Sequence, residues 1–314
     1  MIFRVQHVTD IRYAALVRLA RFNVRLKPAA WSGQRLFECR LIVTPPSGPI
    51  ATEEGPYVVN VSRLLLAEPI SALRIESRFS VDVTPPPHPR ADICPSLARI
   101  RQAAWTSRDI SKFGPTPYLF NSRIVEIDAA IGDWARPFLA DGDSVLEAGR
   151  ALMHAIYTQF RYDSDATKTE TPPGEAFRKR RGVCQDFAHI MIVALRTHGI
   201  PAAYVSGYLR TMPPPGKERL IGCDAMHAWV NIWCGEQLGW IGFDPTNDLI
   251  VQGDHIFIAM GRDYADVAPV DGVFHGNEGQ SLRVSVDVLP VVAEVAAGSF
   301  GQAGGRSRNT SPAR

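Results

Sequence analysis

The first ninety residues alternate between apolar and polar positions in short runs. These runs are IFRVQHVTDIRY, RFNVRL, LFECRLIVTP, YVVNVSRLLL and ALRIESRFSVDV, separated by Pro, Gly, Ser and Asn. A period of two is typical of strands with one buried face, so we predict an antiparallel sheet or sandwich here. The proline-rich stretch at 84–95 cannot donate a regular ladder of backbone hydrogen bonds, which predicts a linker or wrapped loop.

The pattern then changes to helical spacing. Residues 144–160 open with a capping-box sequence, S-x-x-E, and carry apolar residues at helical intervals, which predicts an amphipathic helix. A polar loop at 163–182 leads to a second helix at 184–199, whose interior is apolar nearly all round. Such a helix is usually buried in the middle of a domain. The basic run RKRR at 178–181 is either a solvated part of the loop or a group that steers acidic substrates.

Strand patterns return after the second helix. They are AAYVSGYLR at 202–210, HAWVNIW at 227–233 and GWIGFDP at 239–245, and the last two are joined as a hairpin by CGEQLG. Residues 281–296 alternate again, which is compatible with a return to the N-terminal sheet. The predicted fold class is therefore α+β, with a β-sandwich-like domain followed by a buried helix packed on an antiparallel sheet.

A chain of 314 residues is long enough for two packed regions. We predict an N-terminal β-rich domain at 1–120 and a second domain at 121–280. A C-terminal strand at 281–297 and a disordered, Gly- and Arg-rich tail at 298–314 follow.

The composition excludes several classes of protein. Hydrophobic residues make up 46% of the chain, aromatic residues 9% and charged residues 21%, so it buries enough apolar surface to fold and is not a largely disordered protein. The 34 Lys and Arg against 32 Asp and Glu leave a net charge of +2. This near-neutral balance argues against a protein that binds nucleic acid by neutralising phosphates.

We expect neither a secretory signal nor a membrane span. Its first residues have no continuous apolar core or small-residue cleavage site, and no apolar run reaches the ~20 residues that span a bilayer. The five cysteines are odd in number, widely spaced and without a CxxC pair, which is typical of a reducing compartment. They are Cys39, Cys94, Cys184, Cys223 and Cys234. We therefore expect a cytoplasmic protein that does not bind membranes.

Candidate chemistry begins with Cys184, the first residue of the second helix. Unpaired backbone N–H groups and the helix dipole favour an anion at that position. Helix N-termini and a neighbouring imidazolium lower the pKa of a thiol and make it a competent nucleophile. An isolated cysteine is more often a small buried apolar residue, so the surrounding sequence has to decide between the two interpretations.

Two further residues supply what a nucleophile needs. His227 begins the strand HAWVNIW and Asp244 ends the strand segment GWIGFD, so a hairpin places them side by side. A nucleophile requires a base within hydrogen-bond reach, and that base requires a third group that holds its tautomer. Cys184, His227 and Asp244 provide one of each.

The sequences that flank these residues carry a family resemblance. RRGVCQDFAH, DAMHAWVNIW and GWIGFDPTND resemble the three catalytic motifs of the bacterial transglutaminase-like superfamily, a branch of the papain-like cysteine enzymes. The stretch at 255–276 resembles the segment that follows the acidic motif, and the β-rich start resembles the N-terminal domain. The resemblance implies a papain-like core in which Cys184 is the nucleophile, His227 its base and Asp244 the residue that orients His227.

The same resemblance implies a reaction. Cys184 would attack a carboxamide or peptide carbonyl, and water or an amine would resolve the thioester. We expect a peptide or amide-containing substrate and hydrolysis rather than cross-linking, because no acidic cluster has the spacing of a calcium loop. No cofactor is expected. The alternatives are a binding or scaffold module that has lost turnover and an acyltransferase that uses a small amine.

An oxyanion hole needs two donors, and the sequence identifies one. The backbone N–H of Cys184 points out of the helix start, and the candidates for the second donor are Gln185, Tyr162 and Trp229. A glutamine at the position of Gln185 more often contacts solvent than acts as an oxyanion donor. Aromatic residues such as Tyr162 and Trp229 more often pack in the core. Asp186 lies in the first helical turn, where a carboxylate complements the dipole, so we assign it a structural role.

A metal site is not expected. Cys223, His227 and Cys234 form C-x3-H-x6-C, which lacks a fourth ligand at any familiar spacing, and His227 has a better use in the triad. His189, inside the apolar helix, is predicted to be a hydrogen-bonded core residue. His198 is predicted to contact carbonyl groups at the helix end.

Overall fold

The computed structural model describes residues 1–87, 90, 93–211, 226–276 and 279–291. The predicted disordered tail at 298–314 lies outside the described residues. Within the described residues, helices are too short or too polar to cross a bilayer.

The N-terminal part of the fold is a sandwich of two antiparallel four-stranded sheets. Six strands come from the first 83 residues: β1 (Ile2–Val17), β2 (Ala20–Val24), β3 (Gln34–Thr44), β4 (Ala51–Glu54), β5 (Asn60–Leu66) and β6 (Ile70–Val83). Ile11 and Leu73 of one sheet share an apolar cluster with Phe22 and Leu64 of the other, which confirms the predicted sandwich. β4 was not predicted, because its sequence ATEE has no apolar–polar alternation, and all four of its residues are exposed.

Two strands from residues 270–290 complete these sheets. They are β14 (Val270–Phe274) and β15 (Gln280–Pro290). The first sheet has the order β15-β1-β6-β3 and the second has the order β14-β2-β5-β4. β15 pairs with β1 along its whole length, from Pro290 opposite Phe3 to Gln280 opposite Tyr13. The two domains are therefore tied together by strand pairing as well as by packing.

The remaining elements form the helical and central-sheet part of the molecule. The helices are α1 (Leu97–Thr106), α2 (Ala129–Ala135), α3 (Val145–Gln159), α4 (Pro173–Lys179), α5 (Cys184–Thr197) and α6 (Tyr264–Val267). The strands are β7 (Arg161–Tyr162), β8 (Arg181–Gly182), β9 (Ala202–Leu209), β10 (Met226–Trp233), β11 (Trp240–Asp244), β12 (Leu249–Ile250) and β13 (His255–Gly261). The expectation that 163–182 is only a loop was wrong, because α4 forms there. Its start at Pro173 is favoured by the fixed φ of proline, and Ala176 and Phe177 are buried.

Helix α5 is the centre of this part, as predicted. Its side chains from Phe187 to Leu195 are buried, and it packs on an antiparallel sheet with the order β12-β11-β10-β9-β13. The helix stops where the sequence predicts: Gly199 takes a left-handed φ of +71°, and the N–H of Ile200 donates to the carbonyl of Leu195 at 3.0 Å. The α+β fold class is thus confirmed.

Candidate active site

The start of α5 is held by a buried carboxylate. Cys184 is the first residue of α5 and is half-buried. Oδ2 of Asp186 accepts hydrogen bonds from the backbone N–H of Val183 at 2.8 Å and from Oγ1 of Thr167 at 2.6 Å. Burial raises the pKa of Asp186, although these two hydrogen bonds oppose the rise. A Cβ at Gly182 would lie 2.5 Å from Oδ2 of Asp186, so only glycine allows this close approach.

The basic run before the nucleophile has a structural function at one position. The guanidinium of Arg180 lies over three aromatic rings, 4.1 Å from the centroid of Phe177, 4.6 Å from Phe160 and 5.4 Å from Trp134. Arg180 also takes a left-handed backbone conformation with φ of 53°. The interpretation of this residue as part of a solvated loop was wrong, because the cation packs on an aromatic cluster.

His227 and Asp244 meet across two paired strands. β10 and β11 are antiparallel neighbours with Val230 opposite Phe243, which brings the start of one strand to the end of the other. Nε2 of His227 lies 2.7 Å from Oδ2 of Asp244, within hydrogen-bond distance. The hairpin that the sequence predicts therefore brings these two residues together.

Cys184 joins this pair. Its thiol is one of the two groups that raise the pKa of His227, and Asp244 is the other. Nε2 of His227 faces Asp244, so Nδ1 is the ring nitrogen that this contact leaves open. Burial lowers the pKa of His227, but the hydrogen bonds to Asp244 and Cys184 and their negative charges outweigh burial and raise the pKa to about 10. The imidazole is therefore protonated at neutral pH, with the Asp244 carboxylate 2.7 Å from its Nε2.

Asp244 is fully buried, and hydrogen bonds replace its water shell. Oδ1 accepts from the backbone N–H of Thr246 at 3.0 Å and of Asn247 at 3.3 Å. Oδ2 accepts from Nδ2 of Asn247 at 2.7 Å, in addition to His227. Burial raises the pKa of Asp244, but the hydrogen bonds and the charge of His227 hold it well below its usual range. The carboxylate is thus ionised although it has no solvent contact.

A second histidine reaches the same carboxylate. Nε2 of His255, at the start of β13, lies 3.1 Å from Oδ2 of Asp244. Neither His255 nor Asn247 was predicted as a site residue, although the segment at 255–276 carries part of the family resemblance. A polar residue at the first position of an otherwise apolar strand was the available signal for His255, and closeness to Asp244 in the chain was the signal for Asn247.

The three candidates for a second oxyanion donor have different environments in the structure. Nε2 of Gln185 donates to the carbonyl of Thr169 at 2.9 Å, so this side chain is held by a loop and not only by solvent. Trp229 is 2% exposed and packs in the core as expected. Tyr162 is 57% exposed, so the expectation of core packing was wrong for this residue. Burial of part of the ring raises the pKa of Tyr162, and Cys184 adds to the rise.

The histidines on α5 have structural partners. Nε2 of His189 accepts from the backbone N–H of Tyr264 at 3.2 Å, which confirms the prediction of a hydrogen-bonded core residue. Nε2 of His198 lies 2.9 Å from the carbonyl of Gly132 on α2 rather than a carbonyl of its own helix.

A cavity of about 680 Å³ lies beside the acid part of the site. Trp229 and His255 line it, together with Trp31 and Gln34 from the N-terminal sandwich. Trp229 also packs against the rings of His227 and His255, with centroids 6.2 and 5.3 Å away. Two residues that line the cavity, Trp229 and His255, therefore also contact His227 and Asp244.

A metal would have to compete with hydrogen bonds in this site. The ligand atoms of His227, Asp244 and His255 lie within 4.8 Å of one another, and among the described residues this is the group with metal-ligand geometry. However, both ring nitrogens that face Asp244 are within hydrogen-bond distance of its Oδ2 and are needed as donors. Of the set C-x3-H-x6-C, Cys223 lies outside the described residues, and Cys234 is buried with its Sγ 3.5 Å from the carbonyl of Ile232.

Two family models match the chain. Residues 132–245 match the core of the transglutaminase-like superfamily, and residues 3–82 match the bacterial transglutaminase-like N-terminal region. The first match contains Cys184, His227 and Asp244, and the second covers most of the first six strands.

Individual proteins match over different lengths. An uncharacterised protein of Mycobacterium tuberculosis is 38% identical over 92% of each chain. A protein-glutamine gamma-glutamyltransferase of Pseudomonas aeruginosa is 33% identical over 38% of this chain and 20% of its own length. Among solved structures, a candidate cysteine protease of Cytophaga hutchinsonii superposes with a TM-score of 0.69 and 24% identity over 93% of this chain and 92% of its own, which shows a shared fold.

Proposed function

The chain belongs to the transglutaminase-like superfamily, and from this premise we propose that it is a cysteine-dependent enzyme that cleaves amide or isopeptide bonds in peptide substrates. The observation that carries the proposal is the contact of His227 with the buried carboxylate of Asp244, on an imidazole whose pKa Cys184 also raises. In this proposal the three residues are the nucleophile, the acid and base, and the group that orients the imidazole.

The proposed reaction has two steps. The Cys184 thiolate attacks the carbonyl carbon, the C–N bond breaks, and protonated His227 gives its proton to the leaving amine. Water then attacks the thioester and gives a proton to His227, and the thiolate leaves as the carboxylic acid is released. Asp244 keeps its charge throughout and stabilises the imidazolium. The backbone N–H of Cys184 is the first oxyanion donor, and the exposed hydroxyl of Tyr162 is our candidate for the second.

Hydrolysis is the proposed main outcome because the sequence has no acidic cluster with calcium-loop spacing. Transfer to an amine is the second candidate. It is favoured by the Pseudomonas aeruginosa relative, whose name states a glutamyl transfer. Both outcomes share the thioester and differ only in the group that resolves it.

The experiment that tests the function is intact-mass analysis with glutamine, isopeptide and acyl-donor peptides, with and without a primary amine. We expect an adduct on the wild-type protein that is lost in Cys184→Ala and kept in Cys39→Ala, which removes another half-buried thiol. The ratio of acid to amide product then identifies the reaction. Adducts that persist in Cys184→Ala would exclude this residue as the nucleophile.

A separate test addresses the non-catalytic alternative. Iodoacetamide should label Cys184 at neutral pH well before Cys39, because burial raises the pKa of the Cys39 thiol. If iodoacetamide labels Cys184 no faster than Cys39, the result would favour a binding module without turnover.

We also propose a cytoplasmic location. It rests on the cysteines of the sequence, which are odd in number, widely spaced and without a CxxC pair. Fractionation of the source cells tests it, and recovery of the protein in an extracytoplasmic fraction would overturn it.

A further inference from the structure

His255 shares one carboxylate oxygen with His227. Both Nε2 atoms lie within hydrogen-bond distance of Oδ2 of Asp244, at 3.1 Å for His255 and 2.7 Å for His227. His255 is 4% exposed and Asp244 is fully buried. Water therefore does not supply the hydrogen bonds of this carboxylate, and each protein donor has a defined effect on its orientation.

The surroundings of His255 determine its tautomer. The backbone N–H of Gln252 points at Nδ1 of His255, with a distance of 3.4 Å between the nitrogens. An N–H group donates only to an unprotonated ring nitrogen, so Nδ1 of His255 carries no proton. The single proton of the ring is then on Nε2, which donates to Asp244. His255 is a neutral imidazole in this arrangement, whereas His227 is an imidazolium.

The other charged groups near His255 are consistent with a neutral ring. Asp244 on β11 and His227 on β10 face it across the sheet. Asp254, the preceding residue, is paired with Arg210, whose Nε lies 2.7 Å from its carboxylate. Trp229 packs edge-on against the ring at 5.3 Å. Asp244 is thus the anion in contact with His255, and it is shared with His227.

We propose that His255 is a positioning residue that holds Oδ2 of Asp244 toward His227 through a neutral Nε2–H donor. The inference rests on the proposed function, since His227 is taken as the acid and base. A carboxylate can rotate about its last side-chain bond, and donors on both sides of Oδ2 oppose that rotation. A neutral donor satisfies the oxygen without cancelling its charge, so the full negative charge stabilises the His227 imidazolium. A cationic second histidine would compete for that charge.

The tautomer is tested on the wild-type protein by 15N NMR of labelled histidine side chains near neutral pH. We expect the His255 ring to show a protonated Nε2 and an unprotonated Nδ1, and the His227 ring to show two protonated nitrogens. A cationic His255, or a His255 protonated at Nδ1, would overturn the proposal. This measurement needs no substrate, so it stands apart from the thioester experiment that tests the function itself.

Two variants test the consequence for catalysis. His255→Phe keeps a planar ring and removes the donor, whereas His255→Gln keeps an N–H donor near the position of Nε2. We expect His255→Phe to lower kcat by about 10- to 100-fold, the usual weight of one hydrogen bond to a charged group, with KM little changed. The pKa of His227, followed by the same NMR spectra, should fall in this variant because the carboxylate is no longer held against it.

The glutamine variant separates positioning from a merely structural role. We expect His255→Gln to keep the wild-type pKa of His227 and most of kcat. Equal losses in both variants, or an unchanged His227 pKa in His255→Phe, would show that the ring only fills space. If His255→Phe does not fold, the glutamine variant and the wild-type spectra still decide: a shifted His227 pKa in His255→Gln, or the wrong tautomer, counts against the proposal.

Discussion

The two halves of the candidate site are built in different ways. The nucleophile half is a continuous stretch from Gly182 to Asp186 at the start of α5, and it is held by backbone hydrogen bonds and one capping carboxylate. The acid half consists of His227, Asp244 and His255, which come from three strands. The two histidines contact the fully buried negative charge of Asp244. The first half depends on local geometry, and the second on charge balance in a dry environment.

This difference determines how each half should respond to change. Removal of a helix cap leaves backbone N–H groups at one helix end without an acceptor, which lowers the free energy of unfolding by about 1 kcal/mol. A buried charge that loses its partner leaves an uncompensated ion in the interior, a cost of about 3–5 kcal/mol. We therefore expect mutations in the acid half to affect stability and activity together, and mutations in the nucleophile half to separate the two.

The largest effect is expected from Asp244→Asn. It should lower kcat/KM by roughly 10⁴-fold, because the wrong tautomer of His227 is favoured, and lower the free energy of unfolding by about 3 kcal/mol. Cys184→Ala should lose activity to a similar extent but stay within about 1 kcal/mol of the wild-type stability. Kinetics and urea denaturation of both variants check this. Equal destabilisation would remove the contrast between the halves.

The pH dependence of stability is the next test of the acid half. The folded pKa of His227 is raised from 6.5 to about 10, so its contribution is fully present below pH 6.5 and is lost as the pH rises toward 10. The pKa of Asp244 is lowered from 3.8, so its contribution is present above pH 3.8 and is lost as the pH falls below that value. Urea denaturation should therefore show a constant free energy of unfolding between pH 3.8 and pH 6.5. His227→Gln should remove the alkaline decline, and an unchanged decline would contradict the assignment.

A smaller effect is expected from the cap of the nucleophile half. Asp186→Ala should lower the free energy of unfolding by about 1–2 kcal/mol, because the Val183 N–H and the Thr167 hydroxyl lose their acceptor. Asp186→Asn keeps an acceptor oxygen and should lose less. Thermal unfolding compares the two. A loss in Asp186→Ala as large as that in Asp244→Asn would mean that this carboxylate is not merely a cap.

The smallest effect concerns the segment before the nucleophile. Arg180→Lys replaces a planar cation stacked on Phe177 and Phe160 by a compact ammonium, and it should cost about 1 kcal/mol. Arg181→Lys is the matched control, because Arg181 is exposed and makes only a distant ion pair with Asp163 at 3.7 Å. Denaturation midpoints of both variants measure the difference, and equal midpoints would show that the aromatic contact adds nothing.

Much of the fold follows from local patterns in the sequence. The run of apolar residues in α5, its stop at Gly199 and the alternation in β1, β10 and β11 each predict one element, and the structure contains all of them. The hairpin that joins β10 and β11 then makes His227 and Asp244 neighbours. Helix α4 was missed because only two of its seven residues, apart from proline, face the interior. The domain boundary near residue 120 stays a prediction.

Those parts of the site that depend on residues close together in the chain could be predicted from the sequence. Those that depend on contacts between distant segments could not. Cys184 at a helix start and a hairpin pair are short-range features. The contact of His255 with Asp244 depends on how β13 lies in the sheet, which no local pattern indicates. Tyr162 was expected in the core because aromatic residues are usually buried, yet the short strand β7 leaves this side chain 57% exposed.

By itself, the sequence determined the elements, the fold class and the candidate triad, because periodicity, caps and turns act between residues close in the chain. The tertiary structure decided which groups share the buried charge of Asp244, how Arg180 packs and where β14 and β15 complete the sandwich. These outcomes depend on contacts between segments far apart in the chain. Packing and the removal of water assign hydrogen-bond partners to buried groups only after the elements have come together.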